Sequence, residues 1–121
     1  MAIAAGILGI LFGLLHAVQG RELLIAPAAR RGSGDLGAIP LPARRMWFAL
    51  ALLTIVASLA LLAVATVGVF LFEAIGVVGI TLLAVANGFW MNGRPNALHH
   101  LVRIVMAAVV LAAAAAAVGL L

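Results

Sequence analysis

The placement of arginine constrains this chain more than any other feature. Four long apolar runs carry almost no charge, while all seven Arg fall in two connectors or at their edges, and Lys is absent. About 20 apolar residues in helical form cross the hydrocarbon core of a bilayer, so each run reads as a transmembrane helix. With 68% of its 121 residues hydrophobic and 8% charged, the chain holds more hydrocarbon than a water-soluble core could enclose. Its mean hydropathy is +1.37.

The remaining composition narrows the function classes. A net charge of +4 would suggest nucleic acid in a soluble protein. Beside apolar spans it is the ordinary mark of a cytoplasmic membrane face, and no nucleic-acid partner is expected. The absence of Cys excludes thiol redox chemistry and thiolate metal sites. The N-terminus has no basic segment before its apolar run, so that run is expected to remain as a span rather than to be cleaved as a signal peptide.

Spans are expected at about 2–20, 46–70, 74–91 and 97–121, with cytoplasmic connectors at 21–45 and 92–96. The fold class is an all-α membrane protein, one membrane domain of four transmembrane helices in an antiparallel up-down-up-down bundle. No segment alternates apolar and polar residues with period two, so no strand competes. In the first span Gly6, Gly9, Gly13, Ala17 and Gly20 recur at intervals of three and four. Such a stripe lets another backbone approach closely and faces protein rather than lipid. Leu23, Leu24 and Ile25 read as an interfacial extension. The first connector combines Arg30-Arg31, a flexible Gly32-Ser33-Gly34, and Pro40 and Pro42, which stop a helix from running through.

Ala51, Thr54, Ser58, Leu61, Ala65 and Gly68 form a second small-residue line, in which Thr54 and Ser58 can bond back to a carbonyl one turn earlier. Glu73 is expected to punctuate the tight turn into the third span. Asn92-Gly93-Arg94-Pro95-Asn96 is a turn with Asn96 capping the last helix, which contains the alanine run 112–117.

Orientation follows from counting. Arg21, Arg30, Arg31, Arg44 and Arg45 lie in the first connector and Arg94 and Arg103 in or beside the third, whereas the second carries only Glu73. The positive-inside rule puts the first and third connectors in the cytoplasm and both termini in the periplasm or exterior of a plasma (inner) membrane. Trp47 and Trp90 are expected at headgroup level on that same boundary.

Polar residues within spans are costly and are functional candidates by default. His16 lies on the glycine stripe, Asn87 at the same depth in the third span, and His99 and His100 open the fourth. Together with Arg21, Glu22, Asn92, Arg94 and Arg103 they converge on the cytoplasmic third, and such a cluster could hold a lipid headgroup. His16 with His99 or His100 could bracket a haem. The plainer reading has His16 hydrogen-bonding another helix, with Asn87 as partner by depth, and no cofactor or metal bound. The three carboxylates Glu22, Asp35 and Glu73 are too few and too separated for a dimetal site. Ser58, Thr54, Thr66 and Thr81 have no base at their depth, so no nucleophile and no catalytic residue is expected. Length and span count invite comparison with small four-helix multidrug exporters, but their first-span acid has no counterpart here.

The segment His16-Ala17-Val18-Gln19-Gly20-Arg21-Glu22-Leu23-Leu24-Ile25-Ala26-Pro27 and the later Arg44-Arg45-Met46-Trp47 resemble a group of small bacterial inner-membrane proteins of no assigned activity. Their first span ends in His followed by Gly, Glu, a Leu pair and Pro, and their second opens with Arg and Trp. The group often has His after that Trp, where Phe48 stands here, so that residue's role does not carry over. The resemblance covers the first half and implies four helices and a purposeful His16–Glu22 pair. The small-residue lines exceed what one bundle needs to close, which favours a non-enzymatic accessory subunit or self-assembling component of a larger membrane complex. The alternatives are a haem-binding redox protein and a lipid- or small-amphiphile-binding protein.

Overall fold

A computed structural model describes all residues, Met1–Leu121. Four helices form: α1 (Ala2–Ile25), α2 (Leu41–Ala63), α3 (Val67–Asn92) and α4 (Ala97–Ala117), with a short 3-10 turn at Leu36–Ala38 in the first connector. All four are long and apolar enough to cross a membrane. α1 packs against α2 and α4, and α3 packs against the same two helices. There are no strands.

Each helix buries one narrow seam at alternating intervals of three and four. On α2 the seam is Arg44, Trp47, Ala51, Thr54, Ser58 and Leu61; on α3 it is Glu73, Val77, Ile80, Ala84 and Asn87; on α4 it is Arg103, Ala107, Val110 and Ala114. A seam this narrow is what close helix pairs bury, while the rest of each helix surface, including Leu11, Leu59, Leu82 and Val105, stays apolar and exposed.

The glycines of α1 face α2 of the same chain. A methyl at Gly13 would stand 2.6 Å from Ile55 Cγ1 and 3.2 Å from the Ala51 carbonyl oxygen. One at Gly6 would lie 3.1 Å from the Ser58 carbonyl oxygen, and one at Gly20 would lie 3.0 Å from both the Trp47 and Phe48 rings. Only glycine lets the two backbones come this near. The glycines of α1 are therefore taken up in contacts inside the chain. Ala17 is half-buried and packs beside the same core.

Three segments depart from the sequence reading. α1 continues as helix to Ile25 rather than ending at Gly20. α2 begins at Leu41, with Pro42 tolerated because its first-turn position needs no N–H donor. The turn between α2 and α3 is Val64-Ala65-Thr66, with Thr66 Oγ1 accepting from Val69 N at 3.3 Å. Glu73 is thus not a turn residue: it lies inside α3 and is fully buried.

The first connector is not a loose tether. The N–H groups of Gly32 and Gly34 donate to the carbonyls of Trp90 and Met91 at 2.8 Å each, satisfying acceptors that the end of α3 leaves open. Both glycines need positive φ, +78° and +83°, to turn those donors inward. Arg44 donates from Nη1 to the carbonyls of Leu23 (2.9 Å) and Ala26 (2.7 Å), closing the end of α1 from the first turn of α2. As expected, Asn96 caps α4, its Oδ1 accepting from His99 N at 3.1 Å.

Gly13→Leu is expected to destabilise the protein by roughly 1–3 kcal/mol, the usual cost of overpacking, whereas Leu14→Ala, on a half-exposed side chain, should change little. Thermal unfolding of both variants in the same detergent checks this; equal midpoints would contradict the α1–α2 contact.

Candidate functional site

At the arginine-rich end lies a cavity of about 420 Å³. Its polar wall is Gln19 and Glu22 from α1, Asn87 and Asn92 from α3, Asn96 from the turn, and His99, His100 and Arg103 from α4. Its apolar wall includes Leu23, Leu36, Ile39, Ala84 and Met91, with Trp47 between the two. Ile39 reaches it because the docked connector drives that side chain into the core.

Trp47 organises the site. Its Nε1–H donates to the His16 carbonyl at 2.9 Å, tying α2 to α1. The Arg103 guanidinium carbon lies 5.2 Å from its ring centroid, a cation–π contact. The indole faces the interior of the bundle and not the surrounding surface: Trp47 is 3% exposed. A ring that hydrogen-bonds one neighbour and carries a cation on its face gains more from burial inside the bundle than from the interface.

Arg103 is the charge at the centre of the site. It is 8% exposed, and its only hydrogen bond is a long one, Nη2 to Gln19 Oε1 at 3.4 Å. The one ion pair in the protein is Arg21–Glu22 at 3.7 Å, on the surface, so no carboxylate neutralises Arg103. Asn87, 6% exposed, presents an Oδ1 with no donor, and His100 Nδ1 is also buried without a partner. A buried cation without an anion and a buried acceptor without a donor thus line one cavity, an uncommon pairing inside a protein.

The sequence-derived cluster divides. The structure brings Glu22, Asn87, Asn92, His99, His100 and Arg103 to the cavity. Arg21 and Arg94 stay exposed outside it. His16 is not on its wall: the ring lies between Phe12, 4.2 Å away by centroids, and Trp47, 5.6 Å away. Nδ1 donates to the Phe12 carbonyl of its own helix at 2.7 Å, not to Asn87 or another span. A histidine on a helix reaches the carbonyl one turn back more readily than a partner across a glycine-spaced contact. Nor does His16 pair with Glu22, whose carboxylate is turned to Arg21. No group of three or more acidic or histidine side chains is arranged to hold a metal ion.

Gln19 and Asn96 join the site although sequence reasoning gave them no binding role. At the far end, Glu73 is the residue that reasoning misplaced. The signal was available: Glu73 stands at three-and-four spacing with Val77, Ile80, Ala84 and Asn87.

No protein-family model, no curated protein and no solved structure matches this chain. Its function is therefore read from its own geometry.

His16→Leu is expected to change stability by less than about 1 kcal/mol, because the lost bond lies within one helix and the Phe12 carbonyl keeps its backbone donor. Unfolding in detergent measures this. If His16 were a haem ligand, the substitution would instead remove a Soret band from the purified protein.

Proposed function

We propose that this protein is a non-enzymatic membrane bundle that binds an anionic lipid or small amphiphile, with the head group on Arg103 and the chain along the apolar wall of the cavity. The observation that carries this reading is the buried, unneutralised Arg103 beside the unpartnered Asn87 Oδ1. A guanidinium on an indole face offers its remaining N–H donors to phosphate or carboxylate in paired geometry. Asn87 and His100 then select among head groups by hydrogen bonding. The exposed arginines of the connectors draw anionic lipid to this end, and Arg103 gives the site its selectivity.

On the same reading the four helices cross a bacterial inner membrane as an antiparallel up-down-up-down bundle. Gly6, Gly13 and Gly20 meet successively earlier residues of α2, and Ser58 and Leu50 of α2 meet Glu73 and Gly79 of α3, which supports opposite directions for neighbours. The arginine-rich end is cytoplasmic and both termini are outside. Amphiphile binding is favoured over a role as an assembly subunit because the α1 glycines contact α2. It is favoured over haem ligation because His16 lies off the cavity.

Tryptophan quenching tests the binding. In a Trp90→Phe background, Trp47 reports the cavity when the protein is placed in vesicles containing brominated phosphatidylglycerol or brominated phosphatidylcholine. Wild type should be quenched preferentially by the anionic lipid. Arg103→Gln should lower that preference about 10-fold or more, as expected for loss of charged hydrogen bonds of ~1.5–3 kcal/mol. An unchanged preference would mean that the exposed arginines merely gather surrounding lipid.

Topology is tested separately. A periplasm-active reporter fused after Leu121 should be active and a cytoplasm-active one silent. The reverse pattern would overturn the orientation.

A further inference from the structure

A second polar site lies at the opposite end of the bundle, and nothing in the cavity requires it. Glu73 is fully buried, about 9 Å along α3 from its first residue at the helical rise per residue. Gly9 of α1 and Ser58 of α2 close over it, and a methyl group at Gly9 would collide with both Glu73 Oε1 and Ser58 Oγ. No positive group faces it from any neighbouring helix. α1 presents Gly9 and α2 presents Ser58, while α4 brings the alanines near Ala114 to this end and carries His99, His100 and Arg103 on its first two turns. The acids Glu22 and Asp35 belong to the end of α1 and the first connector.

The hydrogens in this site can be counted. Ser58 Oγ lies 2.7 Å from the Thr54 carbonyl oxygen and 2.8 Å from Glu73 Oε1. Both distances are hydrogen bonds, yet the hydroxyl has one hydrogen and a carbonyl supplies none. Two bonds along three oxygens need two hydrogens. A proton on the Glu73 carboxyl would provide the second: the acid would donate to Ser58 Oγ, leaving Ser58 to donate to the Thr54 carbonyl. Glu73 Oε2, which is buried without any donor, then belongs to a neutral acid, where a missing hydrogen bond costs far less than on a buried anion.

We propose that Glu73 and Ser58 form an intramembrane proton-binding site. One proton is taken up from water and held on the carboxyl, and in that state it clasps α3 to α2 beneath the Gly9 surface of α1. Releasing the proton leaves an anion facing a single hydroxyl, with no cation to pair with, and loosens the three-helix contact. The ligand is the proton itself, and the site acts independently of the Arg103 cavity.

Infrared spectroscopy of the full-length protein in lipid vesicles tests this. At neutral pH wild type should show the C=O stretch of a neutral, hydrogen-bonded carboxylic acid. Labelling glutamate carboxyls with carbon-13 should shift that band down, because the only other glutamate, Glu22, is exposed on an ion pair. The band should vanish in Glu73→Gln and move to the position of a free acid in Ser58→Ala. Raising the pH until the band gives way to carboxylate stretches should lower the thermal midpoint of wild type and leave Glu73→Gln unaffected, since the amide keeps a donor and cannot ionise. Carboxylate bands alone from the labelled wild-type protein at neutral pH would overturn the proposal without any variant. So would a neutral-acid band that survives Glu73→Gln. Neither result bears on lipid preference at Arg103, so the two sites stand or fall separately.

Discussion

The rest of the structure depends on how closely α1 lies against α2. In a membrane, lipid tails are as apolar as leucine side chains, so helices gain little by hiding hydrocarbon from each other and must associate by close packing and polar contacts. Glycines at positions 6, 9, 13 and 20 remove the side chains that would hold the two backbones apart. At that separation the Trp47 indole N–H reaches the His16 carbonyl, and Arg44 reaches the carbonyls of Leu23 and Ala26. The same closeness puts Gly9 directly over the Glu73–Ser58 pair. A larger residue at any of these glycines would act on all of these contacts, because they share one inter-backbone distance.

The parts of this arrangement that were legible in the sequence are those with a one-dimensional signature. Four spans follow from hydropathy, the Asn96 cap from its place between a turn and an apolar run, and the α1 seam from the spacing of its glycines. The α2–α3 turn left no such signature. Val64-Ala65-Thr66 contains neither Gly nor Pro and continues the apolar run on both sides, so the nearby charge of Glu73 was the more conspicuous break. Hydropathy reads an acid as an interruption, whereas a carboxyl hydrogen-bonded to a hydroxyl can sit within a buried seam.

The burial of Trp47 and the docking of the first connector were illegible for a different reason. Both depend on partners far along the chain, His16 for the indole and the end of α3 for Gly32 and Gly34. Positive-inside counting assigned Arg44 and Arg103 the same role as Arg30 and Arg31. Yet Arg44 closes a helix end and Arg103 lies under an indole face, while Arg30 and Arg31 are exposed. Charge counting along a chain cannot separate an arginine that marks a membrane face from one that has a partner inside the bundle.

α3 then explains why two polar sites persist in so apolar a protein. Its buried seam carries Glu73 at one end and Asn87 fourteen residues on, about 21 Å apart at the helical rise, with Val77, Ile80 and Ala84 between them. An acid and an arginine buried in the same bundle would ordinarily be expected to find each other, because pairing offsets the cost of removing both charges from water. Here the seam holds Glu73 against Ser58 at the end where α4 is alanine, and α4 presents Arg103 only at the end where α3 presents Asn87. Mutual neutralisation is thus prevented by the register of rigid helices, and each group must be completed separately. On the proposals made above, a proton completes the acid, and an anion from outside the chain completes the guanidinium at the cavity that Arg103 lines.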